Sequence, residues 1–388
     1  MKKKKLSKTI LFVLIFIGCF AIFAIPMGLA NSLSTIMETA YQLLLDTCFY
    51  IMALCVMAGA LAELLSVFGV IDLFNYILSP LMRPLYGMPG ASALGILTSF
   101  CSDNPAILTL ANDPEYRKHF KEYQIPALTN VGTAFGMGLV VITYMLSLRT
   151  YIPNGIGIAV LAGFFGAVIG SIVSARMMLH YTKKLFGKDA QATIPDELQK
   201  KDNTEIESEG SNTRKEGQGI FLRVLNAALN GGKTGVEIGL SIIPGVCIIC
   251  TIVLMLTNGP AGETYSGAAK EGIGLLPLIA DKLSFVLKPL FGFTSSECIS
   301  VPITALGSAG AAIALIPNLI SNGLANANDI AVFTSMCMCW SGYLSTHASM
   351  MDVLGKRECT GKAILSHTIG GIVGGIGAHY LFLLFSLI

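Results

Sequence analysis

Ser102, Asp103 and Asn104 stand together in a polar turn, followed by Pro105, between two apolar runs. A carboxylate carried to the middle of a bilayer costs about 2.5–3.5 kcal/mol unless it is paired, protonated or bound to an ion. Asp103 therefore has two readings: a cap for the following helix, or the contact for a substrate or a coupling H+ or Na+. Thr129, Asn130 and Thr133 place hydroxyl and amide groups on the next apolar stretch, where Gly132, Gly136 and Gly138 permit close packing or a break. Late in the chain, Ser335, Ser341, Ser345, Thr346 and His347 make another hydrophobic stretch polar. Trp340, the only tryptophan, can stack on a ring or fill a packing gap. These residue types support hydrogen bonding to a small polar solute. The expected substrate-binding set is Ser102, Asp103, Asn104, Thr129, Asn130, Thr133, Trp340, Ser341 and Ser345, with Asp103 also coupling the ion.

Other reactive residues carry less. Cys247-x-x-Cys250 and Cys337-x-Cys339 invite a metal hypothesis, but no second paired Cys/His motif supplies four ligands. No metal site is expected. P-loop, G-x-S-x-G and H-E-x-x-H motifs are absent, so neither ATP-driven transport nor hydrolysis has support, and the expectation is a non-enzyme without a cofactor beyond Na+ or H+. Glu297 begins an apolar segment and suits either an outer vestibule or a helix start. Glu63, Glu237 and Asp352 fall near span ends, where water or lysine explains them.

The elements that must position these groups are membrane helices. Of 388 residues, 53% are hydrophobic and only 13% charged, about half the charge a soluble globule carries. Disorder is excluded on the same numbers. With 26 Lys+Arg against 24 Asp+Glu, nothing favours nucleic acid as a partner. Seven long apolar spans are read at 9–30, 46–68, 125–148, 155–181, 235–257, 330–351 and 363–388. The first follows MKKKKLSK and runs on without a small-residue cleavage site, so it reads as a retained anchor. Two interrupted apolar segments, 70–111 and 273–316, separate the second span from the third and the fifth from the sixth. The polar stretch 185–219 carries both charge signs and reads as a flexible linker.

The two halves repeat. Arg83-Pro84-Leu85-Tyr86-Gly87 recurs as Lys288-Pro289-Leu290-Phe291-Gly292, an offset of 205 that also aligns Thr129 with Thr334 and Phe135 with Trp340. Only 11 of 71 aligned positions are identical, so the shared layout carries the argument. Positive charge orients the chain. With the N-terminus cytoplasmic and each interrupted segment entering and leaving on one side, the loops of Arg117, Lys118 and Lys121 and of Lys356, Arg357 and Lys362 fall inside with the linker. Each half then crosses three times, which inverts the copies. The stretch 91–101 would reach about 16 Å as a helix, half the hydrocarbon thickness, and Ser102–Asn104 with Pro105 suits its turn. In the second half, 296–306 leads to Gly307-Ser308-Ala309-Gly310. Segments 71–85 and 275–290 read as interfacial helices. Tips meeting at the midplane would form a binding site.

RPLYGMPG leading to the Ser-Asp-Asn-Pro tip and then TNVGTAFG resembles the Gate, or nucleoside recognition, domain family. That family includes spore maturation proteins A and B and is similar to the core of concentrative nucleoside transporters. The resemblance spans roughly 46–181 and 235–388. It implies scaffold helix, interfacial helix, hairpin, broken helix and helix, twice in inverted topology, with substrate between the Ser102–Asn104 tip, the helix around Thr129–Thr133, and Trp340–Ser345. It also implies a homo-oligomer. The 307–310 tip departs from the nucleoside pattern by lacking an acid or amide for a ribose.

The fold class expected is thus an all-α polytopic membrane protein of two inverted repeats: anchor 1–30, repeats 31–184 and 220–388, and a cytoplasmic linker 185–219. The function expected is secondary transport of a nucleoside-like or carboxylate solute by alternating access across the cell membrane. A metal-ion permease and a non-transporting sporulation scaffold are the alternatives.

Overall fold

The computed structural model of the chain describes residues 2–104, 106–192 and 219–387, and every regular element among them is helical. Pro105 and most of the 185–219 linker lie outside the described residues. Among the described residues six helical stretches, one of them interrupted, are long and apolar enough to cross a membrane.

Helix α1 (Lys2–Met27) ends at Gly28, whose φ of 82° suits a residue without a Cβ. The second helix, α2 (Leu29–Val67), is 39 residues long, about 58 Å, and starts well before the expected 46–68. Its early polar residues Ser32, Thr35 and Thr39 are fully buried against protein, which is why a hydropathy reading stops short of them. Helix α10 (Ile220–Thr257), 38 residues, likewise outruns the expected 235–257. Each of these two helices contains one π turn, at Leu43–Cys48 and at Gly245–Cys250. They cross on glycine. A Cβ on Gly239 would lie 2.7 Å from Met52 Cβ, and one on Gly231 would strike the Gly59 carbonyl.

Helix α3 (Val70–Tyr86) sits where an interfacial helix is expected, between left-handed Gly69 and Gly87 at φ 72° and 70°. It is followed by a helical hairpin, α4 (Ser92–Cys101) and α5 (Ala106–Ala111), joined by the Ser102–Asn104 tip. Ten residues span about 15 Å, too little to cross the hydrocarbon. A short α6 (Pro114–Arg117) is capped by Asp113, whose carboxylate accepts the Tyr116 amide at 2.9 Å. The expected span 125–148 is broken into α7 (Ile125–Thr133) and α8 (Gly138–Ser147). Helix α9 (Ile156–Phe186) then runs 31 residues, five beyond the expected end at 181.

The second half follows a similar order with several differences, among them, in the described residues, the lack of a short helix like α6. Its interfacial segment is two helices, α11 (Leu275–Lys282) and α12 (Ser284–Phe291), ending at left-handed Gly292. Its hairpin is α13 (Ser300–Ala305), introduced by a 3-10 turn, and α14 (Ala309–Ser321), with Ser308 Oγ capping α14 through the Ala311 amide. The expected span 330–351 is broken into α15 (Ala327–Cys339) and α16 (Tyr343–Val353), and α17 (Thr360–Phe385) closes the fold. Helices α9 and α17 cross as closely as α2 and α10. A Cβ on Gly166 would lie 2.6 Å from the Gly374 carbonyl, and one on Gly370 the same distance from the Gly170 carbonyl.

Candidate solute site at the hairpin tips

Both broken helices turn on a left-handed residue at positions matched by the offset of 205: Met137 at φ 57° and Gly342 at φ 67°. Only the second is a glycine. A left-handed methionine is uncommon and persists where its surroundings hold it. Here the Met137 amide donates to the Ser102 carbonyl at 3.2 Å, so the first tip fastens the first break. The Gly342 amide donates to the Ala305 carbonyl at 3.0 Å, which does the same in the second half. Each hairpin thereby satisfies a backbone donor freed by a broken helix.

Asn104 links the halves. It is 3% exposed, and its Nδ2 donates to the Ser341 carbonyl at 2.5 Å. Its Oδ1 packs on Gly136, where any Cβ would collide with it. The tip, the first break and the second break therefore meet at one side chain. Around this junction Asn104 Oδ1, Thr133 Oγ1, Ser99 Oγ and Ser341 Oγ are buried without a protein hydrogen-bond partner. Buried polar atoms are otherwise almost always bonded, so a cluster of them marks a place suited to a polar guest.

Asp103 is half-buried beside them. Its Oδ1 accepts the Asn104 amide at 2.7 Å and its carbonyl accepts the Ala106 amide at 3.0 Å. No cation of the described residues forms an ion pair with it. The carboxylate bonds only the neighbouring Asn104 amide and caps no helix amide among the described residues, which leaves an edge of it open at the tip.

The other expected residues point elsewhere. Thr129 Oγ1 donates to the Pro126 carbonyl of its own helix at 2.8 Å. Asn130 Nδ2 donates to Ser174 Oγ at 2.9 Å and to the Ala363 carbonyl at 3.0 Å. Ser174 Oγ lies 3.0 Å from His367 Nδ1, and His367 Nε2 contacts the Cys339 carbonyl. With Nε2 donating, Nδ1 accepts from Ser174, and the chain from Asn130 to Cys339 has every donor matched. Trp340 donates from Nε1 to the His367 carbonyl at 3.3 Å and fills the gap over Gly371. Ser345 is exposed on α16. Sequence reasoning missed Ser99, Met137, Ser174 and His367, of which only the histidine in an apolar run gave a signal. One cysteine of each spaced pair bonds backbone: Cys250 Sγ donates to the Ala311 carbonyl at 2.8 Å, and Cys339 Sγ lies 3.7 Å from the Ala167 carbonyl. Among the described residues no three His, Cys, Asp or Glu side chains gather as metal ligands.

Among the described residues, six apolar membrane-length stretches (one of them the broken 122–150), two helical hairpins and a second broken helix define a multi-pass α-helical membrane protein. Its fold is that of concentrative nucleoside transporter structures. CNTnw in an inward-facing substrate-bound state matches with a TM-score of 0.53 and 14% identity, over 86% of this chain and 74% of that one. A doubly substituted CNTnw in an outward-facing state matches with 0.53 and 14%, over 98% and 86%. A third, in an intermediate state, gives 0.52 and 14%, over 97% and 85%. At this identity the likeness is one of fold. No protein-family model and no curated protein matches the chain.

Proposed function

We propose that the chain is a secondary transporter that moves a small polar organic solute, nucleoside-like or carboxylate, by alternating access. The observation that carries this reading is the junction at Asn104, where the first hairpin tip and both broken helices meet at one side chain among four unpartnered buried polar atoms. Broken helices offer a solute both helix N-terminal amides and C-terminal carbonyls, a recurrent arrangement in transporters. Asp103 supplies the carboxylate for Na+ or H+, since an unpaired acid at this depth needs an ion or a proton. Repeats 31–184 and 220–388 are taken as inverted copies of the Gate type. Support comes from matched left-handed residues, Gly87 with Gly292 and Met137 with Gly342. The N-terminus is assigned to the cytoplasm and the chain to the cell membrane.

A homo-oligomer belongs to the same reading. Asn226, Asn230, Lys233, Glu237 and Ser241 are exposed along one face of α10, at helical spacing. Charged groups on the outside of a membrane helix require a polar neighbour, which a second copy provides.

A thermal-shift screen of the purified protein with uridine, succinate and Zn2+ tests the reading. Stabilisation by uridine or succinate, lost in Asn104→Ala, is expected. Stabilisation by the metal alone favours an ion permease, and indifference to all three, extended across nucleosides and carboxylates, favours a non-transporting scaffold.

A further inference from the structure

At one end of the α9–α17 pair, three lysines sit over three aromatic rings. Lys183 Nζ lies 5.2 Å from the Tyr123 ring centroid, Lys356 Nζ 4.5 Å from that of Phe186, and Lys362 Nζ 4.8 Å from that of Tyr181. The lysines come from separate segments: the last turns of α9, the loop after α16, and the first turn of α17. They are gathered by a fixed frame. Lys356 forms an ion pair with Glu122. The Glu122 amide donates to the Ala190 carbonyl at 2.9 Å and the Ala192 amide to the Phe120 carbonyl at 3.2 Å. That antiparallel bridge pins the chain leaving α9 across the loop before α7.

Two of the three lysine charges are not cancelled from within. Glu122 serves Lys356, and Asp352 serves Arg357. Asp189 and Glu358, the other nearby acids, are exposed, and Lys183 and Lys362 form no ion pair among the described residues. A ring face orients an ammonium and leaves its N–H groups able to bond an anion. Depth matters too. Helix α9, with 31 residues, is about 46 Å long against a hydrocarbon core of about 30 Å, so its last turns lie at headgroup level. Aromatic rings and lysines at that level are the usual partners of lipid headgroups.

We propose that Lys183 and Lys362 bind phosphate groups of anionic phospholipids in the leaflet that the charge distribution makes cytoplasmic, while Lys356 is held by Glu122. The proposal does not depend on what the protein transports.

Native mass spectrometry of the full-length protein, delipidated and then given equal amounts of dioleoyl phosphatidylglycerol and dioleoyl phosphatidylcholine, provides the test. Preferential retention of phosphatidylglycerol is expected. It should fall about fivefold for each lysine removed in Lys183→Gln/Lys362→Gln, which keeps the Lys356–Glu122 pair. Lys183→Arg/Lys362→Arg should retain it, as should Lys282→Gln/Lys288→Gln on the interfacial helices α11 and α12. Equal retention of the two lipids by the native protein overturns the proposal, as does a preference unmoved by the glutamine pair or lost equally from α11 and α12. Displacement of phosphatidylglycerol by an equal concentration of inorganic phosphate also overturns it, in favour of a soluble anion.

Discussion

Asn104 Nδ2 donates to the main-chain carbonyl of Ser341 at 2.5 Å, across 237 positions of sequence. Its other amide atom, Oδ1, rests on Gly136 with no hydrogen-bond donor from the protein. One side chain therefore joins the first hairpin to both broken helices. Any movement of the hairpin relative to α15 and α16 must break this bond.

Asn104→Leu keeps the volume and removes the donor, leaving the Ser341 carbonyl buried and unpaired. Such a loss costs about 1–3 kcal/mol. A lower Tm together with loss of ligand stabilisation is expected. An unchanged Tm would mean that the contact carries no load.

Gly136→Ala tests the same junction from the other side, because its Cβ would collide with Asn104 Oδ1. Overpacking of this kind costs about 1–3 kcal/mol. Paired with Asn104→Ala, the alanine should be largely tolerated, and a double-mutant cycle in thermal unfolding measures that coupling.

Glycines at the helix crossings should separate from glycines in open space. Gly231→Ala places a methyl group against the Gly59 backbone, which cannot rotate away, and a loss of about 1–3 kcal/mol is expected. Gly157→Ala, in α9 with nothing within 4 Å, should instead stabilise by about 0.5–1 kcal/mol. Chemical denaturation of the two variants in the same detergent compares them.

Glu271 gives the loop 258–274 a pH dependence. Burial alone would raise its carboxyl, but the amides of Ser266, Ala261 and Gly267 and the Ser266 hydroxyl outweigh it and hold the group below the usual carboxylate range. A depressed folded value stabilises above the unfolded pKa of about 4.3 and loses that stabilisation as pH falls through the folded value. Glu271→Gln should therefore lower Tm at pH 7, with the gap to the native protein closing below about pH 4.3. A gap independent of pH would exclude the carboxylate as its cause.

Much of this was readable from sequence, and the failures have physical reasons. Hydropathy located the apolar spans because lipid-facing runs are uniform, and the Gly87 and Gly292 turns were visible as matched glycines. The full length of α2 was not, since Thr35 and Thr39 look unfavourable in lipid but are buried inside the protein. The break was foreshadowed by Gly132, Gly136 and Gly138, but its turning residue was not, because a methionine in left-handed conformation is held by the Ser102 carbonyl rather than by its own preference. At the site, the Ser102–Asn104 tip was legible from turn-forming residues flanked by short apolar runs. The Asn130–Ser174–His367 chain was not, because Ser174 and His367 are 193 positions apart. Residue type alone does not tell a hydroxyl spent on its own helix, as in Thr129, from one left unpaired, as in Thr133.

The central claim is ion-coupled transport through the tip at Asp103. Uptake of uridine and succinate into proteoliposomes under imposed Na+ and H+ gradients, comparing the native protein with Asp103→Asn of matched thermal stability, tests it most directly. Gradient-driven uptake of one solute by the native protein and its loss in Asp103→Asn are expected. Uptake that persists unchanged in Asp103→Asn would contradict the claim.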